Sequence, residues 1–206
     1  IGTGLVDALD GMYAVALTDG KRCFAARDAI GIKPLYYAER ANELWFSSEL
    51  EPLVDLVDNV QEFPPGAYYD SQQGFCQFYT VPDIRPRHMD VSEATARVRQ
   101  TLEKAVLKRL MSDVPLGAFL SGGLDSSLIV ALARRALGRP IHTFSVGLPG
   151  SRDLQAARLV ADHVGTIHHE YELTVEEVVS RIPEVIHSLE SYDRDLVRSA
   201  IPCYFT

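Results

Sequence analysis

The heptad Ser121-Gly122-Gly123-Leu124-Asp125-Ser126-Ser127 constrains this chain more than any other stretch. It follows a short apolar run, Leu116 to Leu120, and opens a helical pattern from Leu124 to Leu137 that Gly138 closes and Pro140 keeps from continuing. A strand that passes into a helix through two glycines leaves unpaired N–H groups at the helix start, with no Cβ atoms to hold an anion away. The serine hydroxyls add donors, and together these groups form a cradle for phosphate. The spacing is neither G-x-x-x-x-G-K-[ST] nor G-x-G-x-x-G. Asp125 would repel a phosphate unless a divalent cation stood between them, which points to magnesium shared by carboxylate and pyrophosphate. A glycine-rich turn with Ser and Asp acting only as caps explains the isolated triplet Ser-Gly-Gly; the whole heptad between a strand and a helix favours the phosphate reading.

The flanking pattern supports that placement. Val91, Ala94, Val98, Leu102, Val106 and Leu110 recur at helical spacing behind Asp90 and Glu93, which predict a capping box. After the heptad come a strand over Ile141 to Val146, a helix over Asp153 to Val164 ended by Gly165, and a strand over Thr166 to Leu173. Thr174 and Glu177 predict a second capping box, and Pro183 is expected to break one helix and start the next. Alternating strands and helices of these lengths predict βαβ units in a parallel sheet covered on both faces, the beginning of a doubly wound α/β domain.

The first half follows a different pattern. Short β-branched and aromatic runs at Met12 to Leu17, Cys23 to Ala26, Leu35 to Ala38, Leu44 to Ser47, Ala67 to Tyr69 and Gly74 to Tyr79 predict a β meander, with Asp19-Gly20 as a tight hairpin turn. A short helix is expected around Glu49 to Val54. Residues 81–89, with Pro82 and Pro86, lose periodicity and divide the chain into a mainly-β part, 1–80, and an α/β part, 90–206. The first residue is Ile1, and Leu5 to Gly11 reads as the tail of a helix, so the chain is expected to be entered partway through.

Composition narrows the partners. Twenty basic against 28 acidic residues give a net charge of −8, which removes the basic footprint needed to track nucleic acid or an anionic membrane. Cys23, Cys76 and Cys203 are scattered and odd in number, which argues against a disulfide framework or zinc ribbon and fits a cytoplasmic setting. Arg27-Asp28 is expected to be a buried structural ion pair. His168 and His169, adjacent on a strand, should face opposite ways.

Ser121-Gly122-Gly123-Leu124-Asp125-Ser126-Ser127 resembles the pyrophosphate loop of the ATP pyrophosphatase superfamily, whose members adenylate a carboxylate or carbonyl. The first half narrows this further. Gly11-Met12-Tyr13-Ala14, the run Arg27-Asp28-Ala29-Ile30-Gly31-Ile32-Lys33-Pro34-Leu35-Tyr36, Ser47-Ser48-Glu49 and Phe63-Pro64-Pro65-Gly66 are similar to landmarks of the glutaminase domain in glutamine-hydrolysing asparagine synthetases. Leu110-Met111-Ser112-Asp113-Val114-Pro115, the run Val146-Gly147-Leu148-Pro149-Gly150-Ser151, Gly165-Thr166-Ile167-His168-His169-Glu170 and Glu190-Ser191-Tyr192-Asp193 continue the match in order.

The resemblance implies the C-terminal part of an N-terminal-nucleophile-type αββα glutaminase domain followed by the N-terminal part of a parallel α/β ATP pyrophosphatase domain. It implies ATP, magnesium, aspartate and glutamine as ligands, with asparagine, glutamate, AMP and pyrophosphate as products. Leu120 and Val146 would present backbone groups to the adenosine, while Ser121, Gly122, Gly123, Asp125 and Ser126 would hold phosphates, with Asp125 the magnesium ligand. Arg198 matches a substrate-site arginine, and Met12 and Cys203 fall on the ammonia passage. A homodimer is compatible with the family, and the sequence does not set the oligomeric state.

No cysteine here matches the family's glutaminase nucleophile, and the loop Ser-Gly-Glu-Gly-x-Asp-Glu is not in this chain. Arg194-Asp195 replaces a pair of threonines and Cys203 a methionine, which keeps open another carboxylate acceptor, as in β-lactam synthetases. Nucleotide binding without turnover by these 206 residues is a third reading.

Overall fold

A computed structural model of the chain describes residues 4–206, so the expectation resting on Ile1 lies outside the described residues. The chain forms two compact units, Ile1–Pro86 and Arg87–Thr206, and residues 80–90 carry no regular secondary structure. Among the described residues no helix is long and apolar enough to cross a membrane.

In the first unit α1 (Gly4–Ala8) precedes β1 (Ala14–Thr18), β2 (Cys23–Arg27), β3 (Tyr36–Arg40) and β4 (Glu43–Ser47). Then follow α2 (Glu51–Val54), β5 (Gln61–Glu62), β6 (Ala67–Asp70) and β7 (Gly74–Gln77). Every pairing is antiparallel, but the strands do not form one meander. They divide into sheets of order β1-β2-β6-β7 and β4-β3-β5. The period of two on β2 explains the division. Phe24 and Ala26 pack with Val6 of α1 and Tyr68, whereas Ala25 turns the other way onto Leu35, Phe63 and Ala67. A strand buried on both faces needs a layer on each, here a helix and a second sheet.

Two local expectations change. Thr18 and Cys23 are the last Cα partners of the first hairpin, so its loop has four residues rather than two. Asp19 Oδ1 pins it by accepting from the N–H of Lys21 at 2.9 Å and of Arg22 at 2.7 Å, an Asx turn. Arg27 and Asp28 are both buried, yet neither is the other's partner. Arg27 pairs with Glu62 at 2.6 Å and donates to the carbonyls of Lys33, Gly31 and Phe63. Asp28 accepts from the N–H groups of Ile32 and Lys33, each at 2.9 Å. Burial pushes the Asp28 carboxyl up, and the backbone N–H groups of Lys33, Ile32, Ile30 and Tyr13 outweigh it, holding the group below the usual carboxylate range.

The second unit runs α3 (Val91–Arg109), β8 (Gly117–Phe119), α4 (Leu124–Leu137), β9 (His142–Gly147), α5 (Arg152–Val164), β10 (Ile167–Glu172), α6 (Val175–Leu189) and α7 (Arg194–Tyr204). The sheet is parallel, in the order β10-β9-β8. At the start of α3 the side chain of Asp90 accepts from Ser92 N–H, but Glu93 turns outward to Arg97 at 2.7 Å, so a simple cap replaces the expected box. The box at Thr174 and Glu177 has both of its halves.

Pro183 lies inside α6 and does not end it. The ring removes one backbone donor, which is an unfavourable local change. Opposing it, Val178, Ile182, Val185, Ile186 and Leu189 form a continuous apolar stripe against Val197 and Ile201 of α7. The helix holds because that stripe is buried whole or not at all.

The two faces of the sheet are not covered alike: α3, α4 and α5 pack on one, while the other is met at one end by α7, whose Phe205 stacks on Tyr171. Leu120 packs with Val106, Val130, Ala133, Ile141, Ala157 and Ala161, so α3, α4 and α5 share one core. Strands laid down in sequential order by right-handed crossovers put successive helices on the same side; only a reversal of direction moves a helix across. The opposite face carries Phe119, 63% exposed, with Phe144 and Ile167 also exposed. His168 and His169 do face opposite ways: His168 Nδ1 meets Thr143 Oγ1 at 2.9 Å, and His169 Nε2 meets His142 Nδ1 at 2.8 Å.

Candidate functional site

The site forms where β8 and β9 end. Leu120 N–H donates to the carbonyl of Phe144 at 2.8 Å, closing the ladder just past β8. Ser145 Oγ donates to the carbonyl of Leu120. Leu120 therefore has only the second lone pair of its carbonyl to offer a ligand. Val146 has more. Phe144 turns its carbonyl toward β8 and Gly147 turns its own toward Leu173 beyond β10, so alternation points the N–H and C=O of Val146 to the β8 side. The last pair there is Phe119↔Phe144, and β8 has run out by Val146.

The loop itself is held by its own hydroxyls. Ser121 Oγ and Ser126 Oγ lie 2.9 Å apart, Ser126 Oγ also receives Ser121 N–H at 3.3 Å, and Ser127 Oγ donates to the Gly123 carbonyl at 2.6 Å. Gly123 is the N-cap of α4 and supplies no side-chain bond, so the first-turn N–H groups have no capping side chain. Their partial positive charge faces outward beside the hydroxyls.

Gly122 is required for a reason the sequence pattern did not carry. Its φ is +75°, and a Cβ there would stand 2.5 Å from the Ala157 nitrogen and 2.6 Å from both the carbonyl carbon and Cβ of Ala156. The loop is seated directly on the backbone of α5. Gly123 is different: a Cβ would meet only Ser121 Oγ, at 3.4 Å.

A pocket of about 260 Å³ opens beside the loop. Leu120, Ser121 and Val146 of the expected adenosine and phosphate residues line it, and so does Cys203. Gly122, Gly123, Asp125 and Ser126 belong to the adjoining loop and helix start, with Asp125 exposed in the first turn of α4. Among the described residues no cluster of three or more His, Cys, Asp or Glu could hold a metal ion. Asp125 fits magnesium only as one ligand beside phosphate oxygens, which is how a single carboxylate ordinarily serves that ion.

Arg198 lies elsewhere on α7, exposed, with Nη1 3.8 Å from Asp195 Oδ1. Met12 belongs to the other unit, where its side chain is exposed. The sequence reading missed Phe119, Phe144, Asp153 and Pro202 as pocket residues. Alternation could have placed Phe119 and Phe144 on one face, since they are register partners. Nothing local announced that α7 returns to the ends of β8 and β9.

A family model described as asparagine synthase matches residues 97–206, and one described as a glutamine amidotransferase domain matches residues 1–55. Asparagine synthetase [glutamine-hydrolyzing] 2 of Arabidopsis thaliana is 44% identical over 216 residues, covering 98% of this chain and 37% of that protein. Asparagine synthetase [glutamine-hydrolyzing] 3 of the same plant is 45% identical over 219 residues, with the same coverage of 98% and 37%. The Zea mays asparagine synthetase [glutamine-hydrolyzing] is 43% identical, again over 98% of this chain and 37% of its own. The chain thus spans 37% of the length of these relatives.

Proposed function

The chain belongs to the asparagine synthase family, and from that premise we propose that it serves glutamine-dependent asparagine synthesis, its second unit binding the ATP that activates aspartate. The observation that carries this reading is the uncapped start of α4 beside the Ser121–Ser126 hydroxyl pair, opening onto the pocket at the strand ends. Adenine is read by the backbone of Val146 and the carbonyl of Leu120, which together give a donor and acceptors without side-chain cost. The triphosphate lies along Ser121, Gly122, Gly123 and Ser126. A carboxylate oxygen of aspartate attacks the α-phosphorus, the bond to the β-phosphate oxygen breaks, and pyrophosphate leaves with the electron pair. Loop N–H groups aimed at that departing charge lower the barrier. Asp125 would hold magnesium, which would neutralise phosphate charge there. Ammonia then attacks the acyl carbon, the acyl C–O bond breaks as AMP leaves with the electron pair, and the nitrogen gives up one proton, leaving asparagine.

We read the first unit as glutaminase of the N-terminal-nucleophile type, supported by its helix, sheet and sheet layering and by the amidotransferase match. The second is read as a doubly wound ATP pyrophosphatase domain, supported by its parallel sheet. Met12 and Cys203 are proposed for the ammonia passage and Arg198 for substrate binding. The free thiols Cys23, Cys76 and Cys203 support a cytoplasmic setting.

Intact protein supplied with aspartate, ATP, magnesium and glutamine is expected to yield asparagine, AMP and pyrophosphate in equal amounts. Release of ADP and phosphate would exclude the adenylation step. A different carboxylate acceptor is the second reading, favoured by Asp195, whose carboxylate lies 3.4 Å from Arg194 and 3.8 Å from Arg198, beside the arginine assigned to substrate. Pyrophosphate release across a panel of carboxylates, with aspartate inert, would select it.

A further inference from the structure

We propose that Asp153 is a specificity-determining residue that reads the ribose hydroxyls of the nucleotide. The inference rests on the ATP reading of the pocket and deepens it. Asp153 stands in the first turn of α5, the helix that follows β9, and lines the same pocket as Leu120, Ser121 and Val146. Its backbone N–H is taken by Ser151 Oγ, the N-cap, at 3.2 Å. Ser151 therefore does the capping, and among the described residues the exposed Asp153 carboxylate makes no hydrogen bond or ion pair of its own.

Position sets the role. The base is bound at the ends of β8 and β9 and the phosphates at the start of α4, so the ribose that joins them must cross the pocket between Val146 and Ser121. The wall there is apolar on one side, from Phe119 and Phe144, and Asp153 is the only ionisable carboxylate among the residues lining it. Vicinal hydroxyls have two donors to satisfy on leaving water, and a carboxylate offers acceptors for both. A carboxylate at the end of the second strand of a parallel sheet is a general solution to ribose binding. Phosphate contact is disfavoured for the same group, because like charges repel without a cation between them.

The test uses intact protein and the kcat/KM of aspartate-dependent exchange of labelled pyrophosphate into ATP, 2′-deoxy-ATP and 3′-deoxy-ATP. Wild type should prefer ATP over at least one deoxy analogue by about 10- to 100-fold, the range for a hydrogen bond to a charged group. Asp153→Ala should lower ATP to the level of that analogue while leaving the analogue unchanged, and Asp153→Asn should retain part of the preference. A fall for all three nucleotides alike would overturn the proposal in favour of a structural role, and if excess magnesium restored it, in favour of a cation ligand. Unchanged discrimination in Asp153→Ala would overturn it as well. Wild type that fails to exchange pyrophosphate with any nucleotide, whichever carboxylate of the panel is supplied, would instead refute the ATP reading itself.

Discussion

Gly122→Ala and Gly123→Ala are the same chemical change on adjacent residues of one loop, and the structure expects them to differ sharply. At Gly122 the backbone has φ +75°, where a Cβ costs about 1–2 kcal/mol through contact with the following carbonyl. The new atom would also press 2.5–2.6 Å from three atoms of Ala156 and Ala157, two of them backbone atoms of α5 that cannot rotate away. Ordinary carbon contacts lie near 3.5–4.0 Å. Relief needs a shift of the loop or helix by roughly 1 Å, and such overpacking costs about 1–3 kcal/mol. The sum is about 2–5 kcal/mol, or roughly 4–20 °C in Tm at about 2–4 °C per kcal/mol.

At Gly123 the φ is −71° and the nearest contact of a Cβ is 3.4 Å, so the helix start should accept alanine within about 1 kcal/mol. Thermal melting read together with ATP affinity separates the two effects. Gly122→Ala should lose both stability and nucleotide binding, whereas a loss of binding in Gly123→Ala at unchanged Tm would mark direct approach of phosphate to that backbone. Equal melting temperatures for the two variants would refute the claim that α5 seats the loop.

Three further outcomes follow from named contacts. Ser121→Ala removes the 2.9 Å bond to Ser126 and one donor, and should weaken ATP binding by about 10-fold with little change in Tm, measurable by calorimetry. Asp28→Asn keeps the shape but loses the charge that faces the Ile32 and Lys33 N–H groups, at a cost of about 2–3 kcal/mol at neutral pH. Because the folded pKa of Asp28 lies below its unfolded value near 3.9, the stabilisation is complete above about pH 5 and disappears as pH falls through the folded value. Urea midpoints for wild type and Asp28→Asn should therefore stay apart from pH 7 to about pH 5 and draw together as the pH is lowered further. Pro183→Ala restores a backbone donor inside α6 and should raise stability by about 1–3 kcal/mol, seen as a higher Tm.

Several features were legible because their causes are local. The strand, glycine pair and helix around Ser121–Ser127 declare themselves within about twenty residues, as do the glycine stops Gly138 and Gly165, both in the left-handed conformation. Thr174 and Glu177 cap α6 as their spacing requires. The same locality misled elsewhere. Asp90 and Glu93 have the spacing of a box, but Arg97 one turn on competes for the glutamate. Pro183 reads as a break until the stripe on α7 is set against it.

By itself the sequence determined most of the strands and helices, β5 and α7 excepted, where a phosphate-binding turn lies, and which family the motifs resemble, since each depends on neighbours along the chain. Tertiary structure alone decided the rest. It divided the first unit's strands into two sheets, left Phe119, Phe144 and Ile167 of the parallel sheet exposed, and set Gly122 against Ala156 and Ala157. It brought Asp153 and Cys203 to the pocket that Leu120 begins. These are contacts between residues tens of positions apart, held by close packing, and close packing leaves no periodicity in the sequence from which it could be read.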